Sequence, residues 1–124
     1  MYTNENAKKF VTQMVLKFNI SAEVFKRIKS SANDGGNSAL MIFRFEEGMS
    51  YKDAATHARY MENHYIVLTL NEYLKLYATY GKTVADEVFI SQFNKINKTM
   101  IKLTVSSYYA LRKGRALRLS LIHI

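Results

Sequence analysis

The chain has 124 residues, of which none is proline and only five are glycine. Proline is the residue that ends or kinks a helix most effectively, because its ring removes a backbone donor and clashes with the preceding turn. Without proline, helices can continue for many turns. We therefore expect an all-α fold. The length allows one domain with a core of its own, but not two.

The N-terminal part is expected to form two helices followed by a turn. Apolar and aromatic residues recur at four-residue steps in residues 4–18, which predicts a first helix. Ser21 is a suitable N-cap for a second helix, which is expected to end near residue 31. The stretch SANDGGNS, residues 31–38, is rich in turn-forming residues and predicts a break in the chain.

Two later segments carry both helical and strand patterns. Residues 39–45 alternate as a strand would, but the Glu-Glu-Gly sequence that follows favours a helix capped by Gly48. Residues 65–70 are rich in β-branched and aromatic side chains, as strands are, whereas the spacing beyond Leu70 is helical. We expect helix in both segments, with a strand as the alternative.

Residues 50–70 have the layout of a helix-turn-helix, in which the second of two short helices enters the major groove of DNA. Ser50 is the expected N-cap of a first helix that ends near Ala58, and the small Ala55 lies where the helices would cross. An ordinary corner between helices is the alternative. The residues expected at the exposed start of the second helix, in contact with bases, are Met61, Glu62, Asn63 and His64.

The sequence EEGMSYKDAA, residues 46–55, resembles the junction between helices in sigma-factor region four and in related response-regulator domains. Residues 48–70 are also similar to PapB-type fimbrial regulators and KorA (TrfB)-type plasmid repressors. The shared features are a Gly-x-Ser start, Met61 and Asn63 at the turn, and the aromatic Tyr65. This resemblance implies sequence-specific binding to double-stranded DNA, commonly by an oligomer.

Positive charge is concentrated near the C-terminal end. The formal net charge is +8, and residues 88–118 contain seven basic side chains and no acidic one. The same segment predicts a long amphipathic helix with a basic side, a pattern typical of contact with nucleic-acid phosphates. The residues expected to contact DNA phosphates are Ser50, Lys52, Arg59, Lys95, Lys98, Lys102, Arg112, Lys113 and Arg115.

The apolar side of this helix follows three- and four-residue steps, which predicts packing on the domain or pairing with a second copy. A homodimer would use Phe89, Phe93, Ile96, Met100 and Leu103. Two other functions fit the same helix. One is a helical adaptor subunit that docks a partner protein on it, and the other is an RNA-binding protein that uses the basic block.

No enzymatic activity, cofactor or metal is expected. Cysteine is absent, which excludes disulfides and thiolate-bound zinc. The sequence lacks a glycine-rich phosphate loop and a nucleophile motif. No stretch approaches the roughly 20 apolar residues that span a bilayer. Together with the helix-turn-helix pattern and the basic helix, these absences favour a cytoplasmic transcriptional regulator from a mobile element or a bacterial operon, without a membrane partner.

The last six residues, LSLIHI, look like the translation of a transposase adapter used in DNA library preparation. We expect residues 119–124 to be read-through of that adapter, so that the helical domain covers residues 1–118 and the natural chain continues beyond Arg118. A natural apolar strand is the alternative.

Overall fold

The computed structural model describes residues 4–112, with side chains as far as residue 110, and this part of the chain is all-helical. The expected all-α class is thus confirmed for these residues. Expectations for Lys113, Arg115 and residues 119–124 lie outside them. The helices are α1 Asn4–Lys17, α2 Ala22–Met41, α3 Tyr51–Tyr80, α4 Lys82–Ser91 and α5 Phe93–Arg112, and a π-helical turn, Ile42–Glu46, connects α2 to α3.

Helix α3 is the centre of the fold, because all four other α-helices pack against it. Its residues 64–71 are buried without interruption, so that this segment has no solvent-exposed side. A helix that is buried all round needs no amphipathic pattern. This explains why residues 65–70 resemble a strand in composition and yet form the helix that we expected.

Aromatic residues join α3 to the C-terminal helices. The rings of Tyr73 and Phe89 meet edge to face with centroids 5.5 Å apart, and Phe93 lies 5.4 Å beyond Phe89 in the same manner. The hydroxyl of Tyr73 donates to Asp86 of α4, and that of Tyr65 donates to Asn97 of α5. The core thereby satisfies two tyrosine hydroxyls that burial would otherwise penalise.

Both serine caps are formed as expected. The Oγ atom of Ser21 accepts from the Val24 amide at 3.3 Å, and that of Ser50 accepts from the Asp53 amide at 3.2 Å. Gly48 has φ of +71°, which glycine adopts without steric penalty, and it turns the chain between the π-helical turn and α3. The expectation that Gly48 ends a helical segment is consistent with this conformation.

The turn predicted at residues 31–38 is wrong, because α2 continues through this segment to Met41. Its small residues Ala32, Gly36 and Ala39 are buried, and Gly36 lies directly under Glu62 of α3. Close packing of α2 on α3 therefore overrides the low helical propensity of the two glycines. The polar residues that suggested a turn lie on the outer side of the helix.

The break predicted after Ala58 is also wrong, since α3 is one uninterrupted helix of 30 residues. The helix-turn-helix expected at about residues 50–70 is therefore not formed in this structure. Ala54, Ala58 and Tyr65 remain in helical register and are all buried. A turn would have required a left-handed conformation at Arg59, which is unfavourable for a residue with a side chain.

Candidate nucleic-acid interface

The exposed side of α5 carries three lysines, which we call the lysine face: Lys95, Lys98 and Lys102. Their spacing of three and four residues places them on one side of the helix over about 10 Å. On the opposite side, Met100 and Tyr108 are buried against the rest of the domain. Burial of this apolar side fixes the direction of the lysines, so that all three point into solvent.

No acidic side chain opposes the lysine face within its own helix, since residues 88–110 contain neither Asp nor Glu. Among the described side chains, none of these lysines lies within 4.0 Å of a carboxylate. The ion pairs observed elsewhere each join residues one turn apart, namely Lys9–Glu5, Arg27–Glu23 and Lys75–Glu72. The three charges of the face are thus available to an external anion.

Tyr109 adds an aromatic surface beside these lysines. Its side chain is 42% exposed, whereas the neighbouring Tyr108 is 1% exposed. The two rings meet edge to face at 5.7 Å, and the Tyr108 hydroxyl is hydrogen-bonded to Nδ1 of His57. Tyr108 therefore fixes α5 to α3. Of these two tyrosines, Tyr109 is the one available for stacking on a ligand.

The other predicted phosphate contacts lie on a different surface. Lys52 and Arg59 are exposed and seven residues apart, so that they share one side of α3. His57 lies on the side of α3 that faces α5, because it contacts Tyr108. Arg59 is two residues further along α3, which places it about 200° around the helix axis from His57. Lys52 and Arg59 therefore face away from α5. Ser50 is exposed, but its hydroxyl already caps α3. Arg112 is helical, and its side chain lies beyond the described ones.

The four residues expected to contact bases lie in the interior of α3 rather than at a helix start. His64 is 2% exposed, and burial lowers its pKa to about 4. Asn63 is half-buried, and its Nδ2 donates to Oδ1 of Asn4 in α1 at 3.2 Å. Met61 is half-buried beside the cluster that contains Phe43. None of these three side chains projects from the surface as a base-reading residue does.

Glu62, the fourth of these residues, is also half-buried. Burial raises the pKa of its carboxyl, against the opposing effect of the cations Arg59 and Lys29. Its carboxylate rests on Gly36 of α2, so that it occupies the contact between two helices. The prediction of an exposed reading end at Met61–His64 is therefore wrong, because it depended on a turn that α3 lacks.

The predicted homodimer face is largely part of the core. Phe89, Phe93 and Met100 are 0%, 8% and 5% exposed, and they pack in the main core cluster with α3. Ile96 is half-buried against the same cluster, and only Leu103 is exposed. A heptad pattern specifies an apolar partner but does not say which one. Here the central helix is that partner.

Two groups of exposed apolar residues that the sequence did not single out lie near these surfaces. Arg44 lies over the rings of Phe45 and Tyr51 at 5.2 and 5.4 Å, at the corner between α2 and α3. On α5, Ile101 and Val105 are 42% and 37% exposed next to the lysine face. Helical periodicity counted from the buried Met100 would have placed Ile101 and Val105 outside the buried side of α5.

Within residues 4–112, no three His, Cys, Asp or Glu side chains are grouped as a metal site requires. None of the helices in the described residues is both long and apolar enough to cross a bilayer. Comparison with models of protein families, with curated protein sequences and with solved structures finds no match to this chain. The resemblance of residues 46–70 to helix-turn-helix regulators stays a prediction.

Proposed function

We propose that this protein binds double-stranded DNA through the phosphate backbone, with the lysine face of α5 as the contact surface. The observation that carries the proposal is the presence of Lys95, Lys98 and Lys102 on one exposed side, in a segment without acidic residues. Each lysine that neutralises a phosphate releases condensed counterions, and this release drives binding. Tyr109 supplies a neighbouring ring for stacking on a base where the two strands are separated, and it adds nothing to the contact with paired DNA.

A role in transcription belongs to this proposal and rests on the resemblance of residues 46–70 to bacterial regulators. His64 is buried and Asn63 is bonded to Asn4, so these two predicted base-reading side chains do not face DNA. The interaction that we propose is therefore dominated by phosphates, which position a protein on DNA but carry no direct sequence information.

The experiment is a fluorescence-anisotropy titration over a salt series with labelled duplex DNA, single-stranded DNA and RNA. The triple variant Lys95→Ala, Lys98→Ala, Lys102→Ala should lose duplex affinity. Its plot of log K against log salt should become shallower by about 2.7, at about 0.9 per phosphate contact. A result with RNA tighter than duplex DNA at every salt concentration would favour RNA as the ligand instead.

The matched control removes three exposed lysines from α1 and α2, namely Lys8, Lys17 and Lys26. It lowers the net charge by the same amount but leaves the lysine face intact, so duplex affinity and salt slope should change little. Equal losses in both triple variants would mean that net charge alone attracts DNA. Absence of duplex binding at low salt would reject the proposal.

A further inference from the structure

A groove opens between α1 and α2, with α3 as its floor. The start of α1 contacts α3 at Asn63 and its end contacts α3 at Tyr77, so these two helices run in the same direction. Helix α2 returns along α3 and meets Glu62 near its own end. The groove has a volume of about 410 Å³, which lies within the range of about 300–1,000 Å³ that is usual for small-molecule sites. The side chains that shape this α1–α2 groove are Lys8, Val11, Phe25, Lys29, Glu62 and Ile66.

One end of the groove is apolar. Ile66 on the floor is 8% exposed, and Val11 and Phe25 on the two walls are half-buried against the main core cluster. On each helix the lining residues extend over about one turn, which is about 5–6 Å long. A length of this order accommodates one ring or one branched side chain, but not an extended chain.

The other end of the groove is charged. Lys8 and Glu62 precede the apolar lining residues of α1 and α3 by about one turn, and Lys29 follows Phe25 by one turn on α2. Because α2 runs in the opposite direction, all three charges lie at the same end. Among the described residues, neither lysine and not Glu62 forms an ion pair within 4.0 Å. Lys29 lies over the ring of Phe25 at 5.6 Å, and its charge and that of Arg59 reach Glu62 from a longer distance.

The signs of these charges restrict the ligand. A simple anion would be attracted by the two lysines but repelled by Glu62, and the reverse holds for a simple cation. A zwitterion satisfies both signs, because its carboxylate pairs with lysine and its ammonium pairs with Glu62. The apolar end then requires a side chain of one ring or one branched group on the same molecule. A free α-amino acid combines these three features.

We propose that the α1–α2 groove binds a free α-amino acid with a large apolar side chain. The carboxylate of the ligand contacts Lys8 and Lys29, its ammonium contacts Glu62, and its side chain lies against Ile66 between α1 and α2. None of these residues belongs to the lysine face. This inference therefore goes beyond DNA binding and does not depend on it.

The experiment is isothermal titration calorimetry with L-phenylalanine as the probe. We expect saturable binding with a Kd of about 1 mM or below. 3-Phenylpropionate lacks the ammonium and 2-phenylethylamine lacks the carboxylate, so both should bind about tenfold more weakly or worse. Glycine should not bind, because it has no side chain for the apolar end. Absence of saturable phenylalanine binding would overturn the proposal, and so would equal affinity for either analogue.

A pair of neighbouring lysines provides a matched control. Lys8→Ala should weaken phenylalanine binding by about two- to fivefold. Lys9→Ala removes the same charge one residue further on, but Lys9 lies outside the groove and pairs with Glu5, so the affinity should not change. Both lysines are exposed, so that both variants should fold. Equal affinities of the two variants would contradict the assignment of the groove.

Glu62→Gln keeps the shape of the side chain and removes its charge. Phenylalanine should bind about tenfold more weakly to this variant, whereas 3-phenylpropionate should bind equally well or more tightly, because the repulsion by Glu62 is lost. Circular dichroism verifies the fold. A purely structural role of Glu62 would weaken both ligands alike, and that result would overturn the contact with the ammonium. If the variant does not fold, the analogues and the lysine pair decide the question in the natural fold.

Discussion

The carboxylate of Glu62 lies against the backbone of Gly36, where a Cβ atom would stand 2.5 Å from Oε2. This contact allows α2 and α3 to approach closely at a point where α3 carries a long polar residue. The adjacent Gly35 meets no atom within 4 Å at the corresponding position. Two neighbouring glycines in one helix therefore differ in their surroundings while sharing the same unfavourable helical propensity.

Gly35→Ala should raise the free energy of unfolding by about 0.5–1 kcal/mol, because alanine replaces a flexible residue within a helix at an unobstructed site. Gly36→Ala should raise the free energy of unfolding by less than this, or lower it, because the side chain of Glu62 must move. Urea denaturation measures both. In a Glu62→Ala background, Gly36→Ala should approach the gain seen for Gly35→Ala. Equal stabilisation by both alanines in the natural sequence would contradict the contact.

Acid should destabilise the fold through His64. Burial lowers the pKa of His64 to about 4, from 6.5 for the exposed side chain. The folded state therefore binds fewer protons than the unfolded state between these values, and stability falls as pH decreases through this range. The total loss is about 3 kcal/mol, at about 1.4 kcal/mol for each pH unit. Above pH 6.5 the contribution of His64 should be constant.

Urea denaturation at several pH values between 7 and 4 tests this expectation. The variant His64→Leu removes the titrating group, while the carboxyl groups of the protein remain and serve as the common background. Its stability should fall less between pH 6.5 and 4 than that of the natural protein. Parallel stability curves for the two proteins would show that His64 does not titrate on unfolding in this range.

Tyr109 should matter for unpaired bases and not for duplex DNA. Stacking of a base on an aromatic side chain contributes about 1–3 kcal/mol, so Tyr109→Ser should weaken single-stranded DNA by about fivefold or more. Duplex affinity, which depends on the lysines, should change by less than about twofold. Tyr80→Ser is the control, because Tyr80 is 57% exposed at the far end of α3. Equal losses of single-stranded DNA affinity in Tyr109→Ser and Tyr80→Ser would show that Tyr109 does not bind the base.

Local signals predicted the helices where packing agreed with them. Ser21 and Ser50 form the expected caps, and the lysines of α5 lie on its exposed side as periodicity indicated. On the apolar side, Phe93 and Met100 are buried as expected, but beyond them Leu103 is exposed and Thr104 and Tyr108 are buried instead. The segment 31–38 indicates a turn because its glycines and polar residues are locally unfavourable in a helix. Only contact with α3 explains why Gly36 is helical and buried, and a single sequence does not reveal that contact.

The basic part of the candidate site could be predicted from the sequence, whereas the burial of Met61–His64 could not. Lysines without acidic neighbours in sequence are visible directly, and Lys95, Lys98 and Lys102 are exposed as expected. The predicted role of Met61–His64 depended on a bend near Arg59. Residues 64–71 of α3 are buried on every side. A helical segment buried all round shows no amphipathic period in the sequence. His64 therefore looked like a surface residue although it is buried.

A glycine substitution distinguishes a continuous α3 from a helix-turn-helix. Arg59 is exposed within the helix, so Arg59→Gly should lower the free energy of unfolding by about 1 kcal/mol through the poor helical propensity of glycine. Lys75→Gly, at another exposed position of α3, should have a similar effect. A turn at Arg59 would require a left-handed residue there, and glycine would then stabilise the protein. Urea denaturation of Arg59→Gly should therefore show a lower free energy of unfolding if α3 is continuous and a higher one if a turn lies at Arg59. Lys75→Gly should lower the free energy of unfolding in either case.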